Sequence, residues 1–174
     1  MEEEMRALLD LFEREGVEFR LYEHEPVRTS EEAARVRGVE LRSGVKALLL
    51  KSGDGRYLLA DLAADRRADL SRLRALAAVG KGLRLASREE VVSVTRCEPG
   101  SVHPFGSLFG VPTYLDPSVL ENEFVDFNIG LLTRSARIRS EDLRRILGAT
   151  VVEFAEPTGR PGLGGERAVS RTSG

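Results

Sequence analysis

Apolar residues along the chain recur at two spacings, one typical of helices and one typical of strands. Repeats of three and four positions predict amphipathic helices, because those positions share one helix face. The predicted helices span residues 2–15, 30–37, 70–77, 88–94 and 141–147. Alternating or short continuous apolar runs predict strands at residues 17–22, 45–51, 57–61, 83–86, 111–115, 124–127 and 150–154, and in a stretch ending near residue 138.

Turn and cap residues between these segments indicate one class of fold. Gly53-Asp54-Gly55 predicts a hairpin turn. Thr29 and Glu32 form a capping-box pattern, in which each side chain accepts from the other's backbone N–H. The helices between strands are too short and irregular for a doubly wound parallel sheet. We therefore predict an α+β fold, with a mixed, largely antiparallel sheet and helices packed outside it.

The composition fits one domain followed by a flexible tail. The chain has 174 residues, 41% of them hydrophobic and 31% charged, which is enough for a single core. The segment from Thr158 onward has five glycines and no aromatic residue. Such a segment buries too little apolar surface to offset its ordering entropy. The predicted domain is residues 1–157, and residues 158–174 are predicted to be a flexible tail.

The counts of cysteine and histidine exclude several kinds of site. Cys97 is the only cysteine, which rules out an intrachain disulfide and a Cys-rich zinc site. His24 and His103 are the only histidines, too few for a multi-histidine metal centre. No apolar stretch approaches the about 20 residues that span a bilayer, and the acidic start is unlike a targeting segment. We expect a cytoplasmic protein that needs neither a metal nor another cofactor and has no membrane partner.

Charge is distributed unevenly along the chain. The formal net charge is −2, but residues 1–40 carry 6 Arg against 12 Asp or Glu, whereas residues 41–100 carry 12 Lys or Arg against 7 acids. Residues 66–88 contain only one acid, Asp69, but seven basic residues: Arg66, Arg67, Arg72, Arg74, Lys81, Arg84 and Arg88. This basic patch is either a binding site for backbone phosphates or a solvated helix face, and the sequence leaves both open.

Two segments carry candidate chemistry. Lys46 shares the face of an apolar strand with Leu48 and Leu50, so its ammonium must reach water, a carboxylate or an anionic ligand. The segment Gly100–Gly106 contains two glycines and a proline, and the backbone N–H groups of such a loop can point together at an oxygen. The plainer alternatives are a lysine that extends to solvent and an ordinary surface turn.

Cys97 and His103 raise the alternative of a thiol hydrolase. A lone cysteine after an apolar stretch is more often an inert buried residue, and we expect that here. His24 lies between Glu23 and Glu25 and is expected to make a surface hydrogen bond.

Three segments together give the sequence a resemblance to a known family. These are Tyr22–Pro26, Gly44–Leu50 around Lys46, and the Gly-x-x-x-Pro loop Gly100–Gly106. In this order they resemble the YbaK/prolyl-tRNA synthetase-associated editing domains, a family of free-standing deacylases. The resemblance runs from about Leu9 to Phe154.

The resemblance implies a curved mixed sheet and hydrolysis of the ester that joins a wrong amino acid to tRNA. It implies that Lys46 holds the 3′-terminal adenosine and that the Gly100 N–H orients the ester carbonyl. The tRNA's own terminal ribose hydroxyl is implied to activate the water, so no metal is needed. The candidate substrate-binding residues are Tyr22, Thr29, Ser101, Val102, His103, Pro104, Phe105 and Asn128.

The expected activity is therefore an aminoacyl-tRNA deacylase that acts in trans, with Cys- or Ala-tRNA(Pro)-like substrates. The basic patch is the candidate contact for the tRNA acceptor stem, and an aminoacyl-tRNA synthetase is a possible partner. The alternative function is a non-catalytic module of the same fold that binds aminoacyl-tRNA or a synthetase. The sequence leaves the oligomeric state undetermined.

Overall fold

The computed structural model describes residues 1–158, and within them the chain forms five α-helices and ten β-strands. The helices are α1 (Glu2–Arg14), α2 (Ser30–Arg37), α3 (Leu70–Leu76), α4 (Arg88–Thr95) and α5 (Ser140–Leu147). The strands are β1 (Arg20–Glu23), β2 (Val45–Ser52), β3 (Tyr57–Ala63), β4 (Arg66–Ala68), β5 (Leu83–Leu85), β6 (Thr113–Leu115), β7 (Phe124–Asn128), β8 (Arg134–Arg139), β9 (Thr150–Val151) and β10 (Ala155–Pro157). Apart from Thr158, the predicted flexible tail lies outside the described residues.

The strands form a larger mixed sheet and two smaller ones. The larger sheet has the order β5-β2-β3-β6-β9, in which β2 pairs antiparallel with β3 and β5, while β3–β6 and β6–β9 are parallel. A second sheet, β1-β8-β7, is antiparallel throughout, and β10 pairs with β4. The predicted hairpin is the β2–β3 pair, with Gly55 at φ +87° in its turn.

Two apolar cores lie among these layers. The larger one joins α1 and α5 to the second sheet, with Phe12, Phe105 and Phe127 among its buried members. Their rings meet edge to face, with centroids 5.5 to 6.4 Å apart, the arrangement that aromatic quadrupoles favour. The smaller core packs β2 and β3 against α3 and the fully buried Phe154. The larger core also includes Leu115 of β6, so it joins the second sheet to the larger sheet.

Several predicted elements differ from the structure. The strand predicted at residues 17–22 begins at Arg20, because the Val17 N–H still donates to the Phe12 carbonyl at the end of α1. The predicted strand 150–154 stops at Val151. The Asp116 carboxylate accepts from the Phe154 and Ala155 N–H groups, which occupies donors that a continuing strand would use.

The capping box predicted at Thr29 is half formed. The Thr29 hydroxyl accepts from the Glu32 N–H at 3.1 Å, but the Glu32 carboxylate accepts from the Arg28 N–H at 2.9 Å instead of from Thr29. The carboxylate therefore holds the chain one residue earlier. Gly38, in the left-handed region at φ +68°, ends α2 as predicted.

Candidate active site

A cavity of about 350 Å³ lies beside β2, between α2 and the loop that begins at Gly100. Lys46 and Gly100 both line it, together with Thr29, Val102 and Asn128. Segments far apart in sequence thus converge on one space, which has the size range of small-molecule sites.

The cavity exists because β2 is covered along only half of its outer edge. On that side, β5 pairs with Leu50, Lys51 and Ser52, whereas Val45–Leu49 line the cavity. Helix α2 and the Gly100 loop close the space instead of another strand. A strand that continued β5 would leave no room for a ligand there.

Lys46 reaches across the cavity's edge toward β4. Its Nζ donates a hydrogen bond to the Arg66 carbonyl oxygen. Burial lowers the pKa of Lys46 from its ordinary value, and the nearby charges of Glu31 and Asp65 oppose that shift. A half-buried cation bonded to a neutral carbonyl retains capacity for an anionic or polar ligand.

Gly100 has a backbone conformation that other residues rarely adopt, with φ at +91°. Its carbonyl accepts from Asn128 Nδ2 at 3.3 Å, and the next carbonyl, of Ser101, accepts from the Gly130 N–H at 2.9 Å. Within residues 1–158 the Gly100 N–H has no hydrogen-bond acceptor. Ser101 also donates to the Glu98 carbonyl through its N–H and its hydroxyl. The loop is therefore anchored on both sides of the Gly100 N–H, which stays free to donate.

Arg37 connects α2 to the Gly100 loop. Its guanidinium donates to Asn128 Oδ1 at 2.6 Å and to Ser135 Oγ at 3.0 Å. Among residues 1–158, no carboxylate lies within 4.0 Å of it. Burial lowers the pKa of Arg37, partly offset by the charge of Asp126. The sequence analysis missed Arg37 and Ser135, because a basic residue in the last turn of a helix is typical of a solvated helix end.

Four of the loop residues named from the sequence lie behind the cavity instead of lining it. These are Ser101, His103, Pro104 and Phe105, all of them buried. His103 Nδ1 accepts from the Phe105 N–H at 3.2 Å, and its ring stacks on Phe109 at 4.4 Å between centroids. Burial lowers the pKa of His103 to about 3, so the ring is neutral at physiological pH. These side chains support the loop from within the protein.

Tyr22 also lies outside the cavity lining, on β1, where the Arg20 guanidinium stacks over its ring at 4.9 Å. His24, on the segment that follows, makes two hydrogen bonds, with the Glu25 carbonyl at 2.8 Å and with Ser135 Oγ at 2.7 Å. The predicted surface hydrogen bond of His24 therefore leads into the Arg37 network.

Cys97 does not have the surroundings of a nucleophile. It is fully buried, its Sγ lies 3.5 Å from the Thr95 carbonyl oxygen, and burial raises the pKa of the thiol to about 11. Reactive cysteines need an exposed, readily formed thiolate. The thiol-hydrolase alternative therefore has no structural support.

The basic patch divides into paired and unpaired side chains. Arg66 lies 3.5 Å from Glu121, and Arg84 lies 2.8 Å from Glu90. Arg67 lies 3.9 Å from a carboxylate oxygen of Glu156. The other four are exposed and have no carboxylate within 4.0 Å among residues 1–158: Arg72, Arg74, Lys81 and Arg88.

No helix among residues 1–158 combines the length and the apolar character needed to cross a bilayer.

Comparison with known protein sequences finds matches over most of the chain. A model of the aminoacyl-tRNA editing domain matches residues 24–146. The chain is 37% identical over 155 residues to the multifunctional Ser/Thr-tRNA deacylase ProXp-y of Escherichia coli K12, which covers 86% of this chain and 91% of that protein. The protein of the same name from Escherichia coli O157:H7 matches equally.

Solved structures are similar over comparable lengths. A candidate trans-editing enzyme for prolyl-tRNA synthetase has a TM-score of 0.77 and 28% identity, covering 88% of this chain and 97% of its own. A hypothetical protein of known crystal structure has a TM-score of 0.78 and 26% identity, covering 86% and 99%. The overall fold is therefore shared with these proteins.

Proposed function

The chain belongs to the aminoacyl-tRNA editing domain family and hydrolyses the aminoacyl-tRNA ester bond, and we propose that it acts in trans on tRNA that carries a small, wrongly attached amino acid. The family resemblance, the α+β fold class and the expectation of an enzyme are thereby confirmed. The roles of individual residues and the choice of amino acid are the substance of the proposal.

One observation carries it: Lys46 and Gly100 line the same cavity although 54 positions separate them in the chain. In the proposal, the Lys46 ammonium binds the 3′-terminal adenosine end of the tRNA. The Gly100 N–H donates to the ester carbonyl, where negative charge develops as the tetrahedral intermediate forms. Thr29, Val102 and Asn128 form the wall around the amino acid.

The hydrolysis follows from positioning these groups. Water adds to the ester carbonyl carbon, the bond to the ribose oxygen breaks, and that oxygen takes up a proton to restore the hydroxyl. The amino acid leaves as its free acid. The neighbouring ribose hydroxyl orients the water, as the family resemblance implies. Holding the ester beside such a water can supply several kcal/mol of the barrier, about 7 to 11 in favourable cases.

For the amino acid, we propose serine and threonine. The relatives from Escherichia coli carry both in their name, and the cavity wall combines apolar Val102 with the polar side chains of Thr29 and Asn128. A hydroxyl group needs such partners, since a polar group buried without one is costly. Cysteine and alanine on the proline acceptor, expected from the sequence, are similar in size and are the comparison substrates.

The experiment is a hydrolysis assay with purified protein and a panel of aminoacyl-tRNAs that includes seryl-, threonyl-, cysteinyl- and alanyl-tRNA. We expect release of serine and threonine, and loss of most of this activity in Lys46→Ala. The matched control is Lys51→Ala, on the same strand but bonded to Glu90 at 2.9 Å outside the cavity. If every ester survives wild-type protein while tRNA still binds, the non-catalytic module is the correct function.

The candidate trans-editing enzyme among the structural neighbours acts with prolyl-tRNA synthetase by its description, and a synthetase is the partner we propose here. The four unpaired cations of the basic patch are the proposed contacts for the acceptor stem, because exposed cations without carboxylate partners can each release a counterion from a phosphate.

A further inference from the structure

We infer that a second hollow, next to the proposed active site, binds the cytidine that precedes the terminal adenosine in the tRNA acceptor end. This inference rests on the proposed function, since it extends the substrate beyond the adenosine. The hollow has a volume of about 600 Å³ and shares Lys46, Leu48 and Leu85 with the active-site cavity. The two spaces therefore adjoin at Lys46, and in the inference the nucleotide chain passes from the first to the second beside this side chain.

The side chains around the hollow match the parts of a cytidine nucleotide. Arg67 lines it and is largely exposed, so its guanidinium is available to the phosphate that joins cytidine to adenosine. Leu85 is 56% exposed at the boundary of the two spaces and offers an apolar surface against which a base can lie.

Two carboxylates also face the hollow, and they favour a base over a second phosphate. Asp69 is engaged, because its Oδ1 caps α3 by accepting from the Arg72 N–H at 3.0 Å. Glu156 is the other, with its Oε1 3.9 Å from Arg67 Nε, beyond direct hydrogen-bond distance. A carboxylate is the acceptor that suits the exocyclic amino group of cytosine. Uracil has a carbonyl oxygen at that position and would be repelled.

The position of the hollow depends on pairing between β4 and β10. Arg67 pairs in register with Glu156, which places a cation and a carboxylate side by side at its rim. Strand β4 contributes to both spaces. Its Arg67 lines the hollow, and the carbonyl of its Arg66 accepts the hydrogen bond from Lys46, which lines the active-site cavity. The two spaces therefore share a boundary that includes Lys46 and Leu48.

The test compares three minimal substrates: seryl-adenosine, seryl-CpA and seryl-UpA. We expect wild-type kcat/KM to rise about tenfold from seryl-adenosine to seryl-CpA, the effect of one added base in contact with the protein. The increase from seryl-adenosine to seryl-UpA should be smaller. Arg67→Ala should reduce the gain of both dinucleotides. Glu156→Ala should remove the difference between them. Neither change should alter hydrolysis of seryl-adenosine.

Arg144→Ala is the matched control, an exposed basic residue on α5 outside both the hollow and the basic patch. Equal kcat/KM for all three esters in wild type, or unchanged ratios in both variants, overturns the inference. Binding of unreactive CpA and adenosine, measured by calorimetry, separates it from the proposed function. If no ester is hydrolysed, the subsite is still supported when CpA binds more tightly than adenosine and Glu156→Ala weakens the affinity for CpA. Equal affinities for CpA and adenosine contradict it.

Discussion

Replacing Arg37 by lysine tests whether the hydrogen-bond network of Arg37 and Asn128 in the cavity wall controls the position of Gly100. The substitution keeps the positive charge but loses the planar fork that donates to Asn128 Oδ1 and to Ser135 Oγ at once. Asn128 in turn donates to the Gly100 carbonyl at 3.3 Å. Ser135 Oγ also donates to Asn128 Oδ1, at 3.0 Å. A lysine ammonium can satisfy only one of the two acceptors that the guanidinium bridges, so we expect the Asn128 amide to be held less firmly and the Gly100 loop to shift.

The size of the effect follows from the bonds that are lost. A hydrogen bond from a charged group contributes about 1.5 to 3 kcal/mol, and each 1.4 kcal/mol of lost transition-state stabilisation lowers the rate about tenfold. One such bond lost from Arg37 predicts a fall in kcat of about ten- to a hundredfold. Because Arg37 acts through Asn128 in this scheme, KM should change little.

Single-turnover hydrolysis of seryl-tRNA measures this directly, with Arg35→Lys as the control on the exposed face of the same helix. A change confined to KM means that Arg37 contacts the substrate itself instead of positioning the loop. Activity of Arg37→Lys within twofold of wild type refutes the coupling between α2 and Gly100.

Two further predictions concern Gly100 and Asp61. In Gly100→Ala the new Cβ lies at an ordinary 3.6 Å from Leu132, so the expected loss of stability, about 1 to 2 kcal/mol, comes from the backbone at φ +91°. Both Tm and kcat should fall. Wild-type values of both contradict the loop's proposed role. Asp61 is fully buried, its carboxylate has no partner among residues 1–158, and burial raises its pKa well above the ordinary value. The folded state therefore holds the proton that the unfolded state releases, and stability falls as pH rises from the unfolded pKa toward the folded one. Relative to wild type, Asp61→Asn should gain stability from pH 5 to pH 8, by about 1.4 kcal/mol per unit of pH up to the folded pKa. Urea unfolding at both pH values tests this, and a constant difference in the free energy of unfolding contradicts it.

Local signals in the sequence were sufficient for most of the elements and for singling out Lys46 and Gly100, the two residues of the cavity lining on which the proposal depends. The β2–β3 hairpin follows from an apolar run, a glycine turn and a second run, all adjacent in the chain. Lys46 was identifiable because a cation on an apolar strand face needs a partner. Gly100 was identifiable because glycine and proline mark unusual backbone. In each case the informative residues lie within a few positions of one another.

Contacts between distant segments could not be predicted in the same way. Asp116 accepts from Phe154 and Ala155, 38 and 39 positions away, and nothing near either segment indicates the other. The Arg37–Asn128 bond spans 91 positions. The structure places Arg37 in the cavity wall. From the sequence alone, before the packing of the layers is known, it looks like any solvated basic residue at the end of a helix.

The length of β5 connects the fold to the proposed activity. A sheet edge left open exposes backbone donors and acceptors and invites pairing with another chain. Here β5 covers Leu50–Ser52, and the remaining edge faces a cavity closed by α2 and the Gly100 loop. Neither closing segment is a strand, so both can carry ligand-binding side chains at positions that ladder pairing would not permit. Arg37 then joins these two segments through Asn128, which makes the shape of the cavity depend on a bond between its walls.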